Sequence, residues 1–386
     1  MKRLLLIILL AALSSPVLLS AQEGLIIREI IVVGNTRTSE AVVRSQLPFR
    51  EGDPWQDEFS QWAVHRLVTL DIFAYEPMRI TVEPVSDHEC RVMVRLGDPS
   101  IWYRDPAEFA AMTAMRLFSS QFMGTVYNPF GFGLNLNVNL VWGHNYSYGA
   151  SVTAPLGPGA ASLGGRYYRG DHTFTNTSYE SMGWSAELGF WYWWNRYLRQ
   201  SARIQYHDYE LDGTQGSRII PGTGLLYHDS FTALGTAAAG ISLQDDPLFW
   251  RVQGALSKEF GPAVALARGG YTSPDTPGHM QFAVGRYSLL PLRGEDMQHL
   301  ARAYALGTAE YHFSLGMLAP IVFADGGWVW NGSPGQDLNS ILINLGAGLA
   351  FYTPIGIPVR VDFAMNPVTA SWGWNIGFGH SYIPLF

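Results

Sequence analysis

The chain of 386 residues has a single cysteine and little charge, with Asp, Glu, Lys and Arg together only 15% of it. One thiol, Cys90, excludes an internal disulfide framework. Acidic residues outnumber basic ones by 32 to 25, for a net charge of −7. That balance argues against a nucleic-acid partner and against a basic membrane-surface patch. Beyond the extreme N-terminus no apolar run reaches the roughly 18 residues a membrane-crossing helix needs, so helical spans are excluded. The sequence also lacks a Gly-x-Ser-x-Gly elbow, paired metal-ligand spacing and a phosphate-binding loop. No cofactor, no metal and no enzymatic activity are therefore expected.

What the chain does have is 47% hydrophobic residues, 13% aromatics and 41 glycines. Lys2 and Arg3, the apolar Leu4 to Leu13 and the small or turn residues up to Ala21 read as a secretory signal over residues 1–21. Removing it takes away two basic residues, leaving 23 against 32 acidic and a net charge of −9. The clearest pattern lies at the other end. Ile341, Ile343, Leu345, Leu349 and Phe351 alternate with Ser340, Asn344, Gly346 and Gly348. Val359, Val361 and Phe363 then alternate with Arg360, Asp362 and Ala364, and Trp372, Trp374 and Ile376 with Gly373, Asn375 and Gly377. A period of two is a strand. The second face is Gly, Ser and Asn with a few charges, which suits a narrow polar lumen behind a lipid-facing surface.

The same rhythm recurs backwards to residue 131, most cleanly where Phe132, Leu134, Leu136, Val138 and Leu140 oppose Gly133, Asn135, Asn137 and Asn139. We count about fourteen such strands over residues 131–386, with sixteen as the other even number available to a closed wall. Short turns at Gly157-Pro158-Gly159, Asn195-Arg196, Gly261-Pro262 and Thr353 to Gly356 fall on one side, and the long loops on the other. The fold class is a transmembrane antiparallel β-barrel of about 14–16 strands. Residues 98–130 form a linker in which Pro106 to Phe118 reads as helical and Gln121 to Tyr127 could be a first strand. Trp191, Trp193, Trp194 and Tyr197 read as an interfacial aromatic girdle.

Residues 24–97 have a different grammar. A β-branched run, Leu25 to Val33, ends in the turn signal Gly34-Asn35. Ser39 and Glu40 start a short helix, and Phe59, Trp62, Ala63, Leu67 and Leu70 mark a second at helical spacing. Strands at Met78–Val85 and Cys90–Leu96 complete a β-α-α-β-β order. With its Ile-Val-Val-Gly-Asn-Thr turn and Leu70-Asp71-Ile72-Phe73, this segment resembles a POTRA domain. That resemblance implies a periplasmic module whose edge strand accepts an extended peptide.

Two lone inward acids, Glu310 and Asp325, occur on strands downstream of the longest loop, which carries Leu292-Arg293-Gly294-Glu295. A lumen carboxylate is costly unless paired, and an arginine folding inward can satisfy both acids. Gly294 would allow a tight turn beside it. The segment from Phe282 to Gly294, Glu310-Tyr311-His312-Phe313, Phe323 to Trp328, Thr353 to Gly356 and Arg360 to Ala364 follow the C-terminal pattern of the Omp85 superfamily of BamA- and TamA-like assembly barrels and two-partner secretion transporters. The resemblance implies a bacterial outer-membrane protein assisting insertion or translocation of other proteins, with Arg293 locked against Glu310 and Asp325. Its partners would be unfolded or extended protein substrates, met at the POTRA edge strand, and outer-membrane lipid. Gly377, Gly379 and Pro384 weaken the closing strand, which ends on Phe386, so that strand marks a seam able to open sideways. The competing readings are a passive pore or structural barrel, and a barrel hydrolase using Tyr206-His207-Asp208, Tyr227-His228-Asp229 or Glu310 with His312.

Overall fold

The computed structural model describes residues 24–74, 78–103, 109–110, 113, 121–143, 145–174, 178–244, 247–285, 293, 299–330, 340–352 and 358–378. The segment 1–21, most of Pro106 to Phe118, and Gly294, Gly379, Pro384 and Phe386 lie outside the described residues.

The chain opens with an α+β unit of β1 (Ile26–Val33), α1 (Glu40–Gln46), α2 (Glu58–Thr69), β2 (Arg79–Pro84) and β3 (Glu89–Arg95). Its sheet has the order β1-β3-β2, with β3 parallel to β1 and antiparallel to β2. Alternate residues of β3, Cys90, Val92 and Val94, are fully buried, as the period of two requires. Val43, Phe59, Ala63 and Leu67 on the helices pack onto them, and burying each of the larger side chains stabilises the unit by roughly 1.5–3 kcal/mol. Gly34 has a φ of +94°, and a Cβ there would stand 1.9 Å from the carbonyl oxygen of Leu96, so the first turn demands glycine.

The two edges of this sheet differ. Along β1 the outer backbone groups are occupied: Ile27 N–H donates to Asp53 O (2.9 Å), and Gly52 N–H and Trp55 N–H donate to Ile27 O and Leu25 O (both 2.7 Å). Further along, Ile30 N–H donates to Glu51 Oε1 (3.1 Å), and Arg44 Nη2 donates to Ile30 O (2.7 Å). β2 has no such cover among the described residues. Val85 N–H donates to Glu89 O, so the alternation of an antiparallel ladder turns the backbone groups of Ile80 and Val82 away from β3.

Among the described residues the rest of the chain forms, apart from a separate two-stranded hairpin, one antiparallel wall of fifteen strands. Its first half comprises β4 (Gln121–Tyr127), β5 (Asn135–Val141), β6 (Tyr146–Pro155), β7 (Gly159–Thr173), β8 (Ser178–Trp193), β9 (Leu198–Leu211) and β10 (Thr214–His228). It continues through β11 (Thr232–Ser242), β12 (Phe249–Phe260) and β13 (Ala263–Thr272). A loop follows that contains a 3-10 turn at Gly278–Met280 and a hairpin of β14 (Phe282–Val284) and β15 (His299–Ala301). The wall resumes with β16 (Ala303–His312), β17 (Leu318–Trp330), β18 (Ser340–Tyr352), β19 (Pro358–Met365) and β20 (Trp372–Phe378).

Alternation decides which residues face out. Leu163, Leu188, Ile204, Leu225, Ile341 and Leu345 are exposed, while their neighbours along each strand turn to the lumen. Gln121–Tyr127 is a strand, so the wall has one more member than the fourteen counted from residue 131 onwards. All neighbours in the wall are antiparallel, so β4 and β20 run in the same direction. The fifteen described strands therefore do not close the wall antiparallel by themselves, and among the described residues no ladder joins β4 to β20. Tyr127 N–H donates instead to Ile101 O (2.8 Å), which sets the start of the linker beside the end of β4.

The α+β unit docks against one rim of the wall, here the near rim. Asp98 accepts from the backbone N–H groups of Arg37 and Thr38 and from the Thr38 hydroxyl. Asn128 Nδ2 donates to Thr38 Oγ1 (2.7 Å), and its Oδ1 accepts from Gly133 N–H (2.6 Å). Asn135 Nδ2 donates to Asp71 O (2.8 Å). Thr38, Asn128 and Asn135 are buried, so the first wall turn is bonded to two separate loops of the unit. Gln46 Nε2 donates to Gly157 O, and Arg196 pairs with Glu58.

This docking corrects the aromatic girdle. Trp193 is only 1% exposed and meets the His65 ring edge-on at 4.7 Å, and Trp191 packs against the core of the unit. Trp194 alone of the three tryptophans lies 61% exposed. Residues 191 and 193 share the face of β8 opposite to Phe190, and at the near rim that face meets α2 rather than lipid.

Candidate functional site

Four neighbouring strands, β16 to β19, build a charged cluster inside the wall. The ladder sets Thr308, Asp325 and Asn344 in one row, and Glu310, Phe323, Gly346 and Ala364 in the next. Gly348 lies opposite Asp362 one step further on. Each inward position is two residues from the last, so β16 presents Thr308, Glu310 and His312 to the same space.

Arg293 enters this space from the long loop and is 3% exposed. Its Nε and Nη2 donate to Oδ2 and Oδ1 of Asp325 at 2.7 and 2.6 Å, a bidentate fork. Nη1 donates to Glu310 Oε1 at 2.7 Å and to Asp362 Oδ2 at 3.3 Å. The guanidinium lies over the Phe323 ring, 3.3 Å from Cζ to the centroid. Arg360 completes the cluster by donating to both oxygens of Glu310 (2.8 and 3.0 Å) and to Asp362 Oδ1 (2.7 Å). His312 Nε2 shares Glu310 Oε2 at 2.9 Å, and Thr308 Oγ1 donates to Asp325 Oδ1 at 2.9 Å.

Arg268 on β13 borders the same small cavity of about 10 Å³, which has room for one water molecule. Among the described residues three arginines thus face three carboxylates, so that their charges balance. Neutrality matters because an unpaired ion in a water-poor wall costs several kcal/mol. Glycines make the cluster possible: a Cβ on Gly346 would stand 2.2 Å from the Phe323 ring, and one on Gly348 would stand 2.0 Å from Asp362 Oδ1.

Of the residues expected from the sequence, Arg293, Glu310 and Asp325 therefore come together. Gly377 lies in β20 opposite Arg360, which relates the last described strand to the cluster. Sequence reasoning missed Arg360, Asp362 and Phe323. Arg360 and Asp362 carried a signal, since they alternate onto the polar face, but nothing in the spacing tied that face to Arg293. Phe323 carried none, being an aromatic in a strand rich in them.

The arrangement does not resemble an acid-base centre. The carboxylates accept from guanidinium and hydroxyl donors, and among the described residues no nucleophile is bonded to His312. In Tyr206-His207-Asp208 the alternation separates neighbours: Asp208 accepts from the outward Trp184 Nε1 at 2.9 Å while His207 turns to the lumen. His228 stacks on His65 of the docked unit, with centroids 5.4 Å apart and planes at 12°. Burial there, with His228 and Arg199 adjacent, pushes the His65 pKa down to about 4.

The wall, its inward loop and the small unit before it make up a β-barrel fold preceded by an α+β unit. Three solved structures share it, each 15% identical to this chain and each matched over 92% of it. BamA from Haemophilus ducreyi lacking POTRA domains 1–3 superposes with a TM-score of 0.55 over 84% of its length. CdiB from Acinetobacter baumannii gives 0.60 over 73%, and CdiB from Escherichia coli 0.62 over 76%. No family model and no curated protein matches the sequence.

Proposed function

We propose that the chain is a bacterial outer-membrane protein that assists insertion or translocation of other proteins, with the α+β unit as a periplasmic POTRA domain. The observation carrying this reading is Arg293, a loop residue held inside the barrel wall by acids from three strands. A loop tied so firmly into its own lumen has a set position, which a passive pore does not need. In this reading residues 1–21 are a signal peptide, residues 24–97 the POTRA domain and residues 131–386, with β4 before them, the barrel. The work is done without cofactor and without catalysis.

The free edge of β2 supports substrate capture, since the backbone groups of Ile80 and Val82 are available to an added strand. The space between β4 and β20, bordered by Gly377, is the seam where an incoming strand and lipid would meet, with Gly379, Pro384 and Phe386 following in the sequence beyond the described residues.

The test is insertion of an unfolded outer-membrane protein into liposomes that hold the wild type or Arg293→Ala, scored by protease protection. Acceleration by the wild type that is lost in the variant is expected. A folded, ion-conducting barrel that accelerates nothing would make the protein a passive pore.

A further inference from the structure

The lumen face opposite the neutral cluster is charged in one direction. Along one ladder row Arg203 on β9, Gly222 on β10, Ala238 on β11 and Arg251 on β12 are successive partners. The two residues between the arginines are the smallest available, and Arg203 Nε lies 3.4 Å from where a Cβ of Gly222 would stand. The Arg203 side chain therefore extends along the row toward Arg251. Arg166 on β7, two strands away, and His207 on β9 itself look into the same space.

Among the described residues Glu187 is the carboxylate that acts through space on His207, and its Oε2 is already bonded by Gln205 Nε2. Arg166 donates its Nε to Ser147 Oγ at 2.7 Å. Arg203 and Arg251 have no ion pair or hydrogen bond to any other residue among those described. The contrast with β16 to β19 is sharp, because there every arginine has its acid. From Gln205 and His207 on β9 an open recess of about 580 Å³ continues along the wall, edged also by Arg166, Asn137, Asn139 and Ser151.

Two guanidinium groups facing each other without a counter-charge repel, and an anion between them removes that cost. Guanidinium forks match carboxylates in particular. The flanking Asn, Ser and Gln side chains offer both donors and acceptors to a passing backbone. We propose that this wall, centred on Arg203 and Arg251, is a binding track for the acidic side chains of an extended polypeptide inside the lumen. The inference rests on the proposed handling of protein substrates and narrows it to acidic segments.

The test uses the full-length protein in detergent micelles and three fluorescein-labelled peptides of equal length, rich in Asp and Glu, in Lys, or in Ser and Gly. Fluorescence anisotropy should show the acidic peptide binding at least about tenfold more tightly than the others. Arg203→Gln with Arg251→Gln should abolish that preference, whereas Arg203→Lys with Arg251→Lys should keep most of it. Retained heat-modifiable migration on gels shows that each variant is folded.

Equal affinity for the three peptides would overturn the proposal, as would an unchanged preference in the glutamine variant. Displacement of the acidic peptide by inorganic phosphate, at concentrations where equivalent sodium chloride has no effect, would overturn the polypeptide assignment. The liposome insertion assay separates the two readings. Charge preference without any insertion would remove only the proposed function, and insertion without charge preference would remove only the track.

Discussion

Gly348 faces Asp362 across the ladder between β18 and β19 so closely that no side chain fits between them, a Cβ coming within 2.0 Å of Asp362 Oδ1. The glycine therefore fixes where the carboxylate can stand, and with it the position of Arg360. Gly348→Ala should displace Asp362 and destabilise the barrel by roughly 1–3 kcal/mol, the usual cost of overpacking. Urea unfolding in detergent would measure it. Combined with Asp362→Ala, the alanine should cost clearly less than it does alone, because the clash is gone.

Removing the loop arginine should cost more than removing a surface charge. Arg293→Ala leaves Asp325 and Glu310 buried with part of their donors gone, and breaking such a pair costs roughly 3–5 kcal/mol. Arg293→Lys keeps the charge but loses the fork to Asp325, so it should fall between the alanine variant and the wild type. The unfolding midpoints of the three proteins test this order.

The docked unit should loosen in acid. His65 is held near a pKa of about 4, below the ordinary value of about 6.5 it regains when undocked. A depressed pKa means that the docked form binds fewer protons. Its contribution is thus complete above about pH 6.5 and is lost as pH falls through 4. Hydrogen exchange of α2, corrected for its intrinsic pH dependence, should speed up between about pH 6.5 and 4. His65→Phe should flatten that response.

The joint at the first wall turn should be equally sensitive. Asn128 has a positive φ of 42° and joins Thr38 to Gly133 through its side chain. Asn128→Ala loses both bonds and strains the backbone, at a cost of roughly 2–4 kcal/mol. Limited proteolysis between residues 97 and 103 should become faster while the barrel stays heat-modifiable.

A proline can test the edge strand without breaking the sheet. The Val82 N–H points away from β3, so Val82→Pro removes a donor that no residue of the unit uses. The variant should fold and dock, and photo-crosslinking of an extended substrate to β2 should be lost. Undiminished crosslinking would mean that substrate is held elsewhere.

How much of this could be read beforehand depends on range. The wall was legible because alternation is local: Ile341, Leu345 and Val361 announce a lipid-facing surface within a few residues of themselves. The β-α-α-β-β unit was legible for the same reason. Arg293 with Glu310 and Asp325 was accessible because two inward acids need a cation. Which strands would crowd around that cation depends on register across four ladders, and a sequence does not display register. Gly346 and Gly348 read as small lumen residues, although their purpose is to leave room for Phe323 and Asp362. Trp191 and Trp193 were misassigned because alternation gives a face but not what covers it.

The rim contacts have a geometric corollary. Among the described residues, the turns touched by the α+β unit, at Asn128 to Gly133, Gly157, Arg196 and His228, belong to strands β4 to β11. His65 of α2 rests on Trp193 and His228, inward residues of that rim. Among the described residues the unit thus roofs the near mouth on the side of β4 to β11, and its contacts do not extend to β12 to β19. A chain entering from that side would first meet His312 and Glu310, and would have the Arg203 and Arg251 face across from it: a doorway with a neutral post on one jamb and a cationic one on the other.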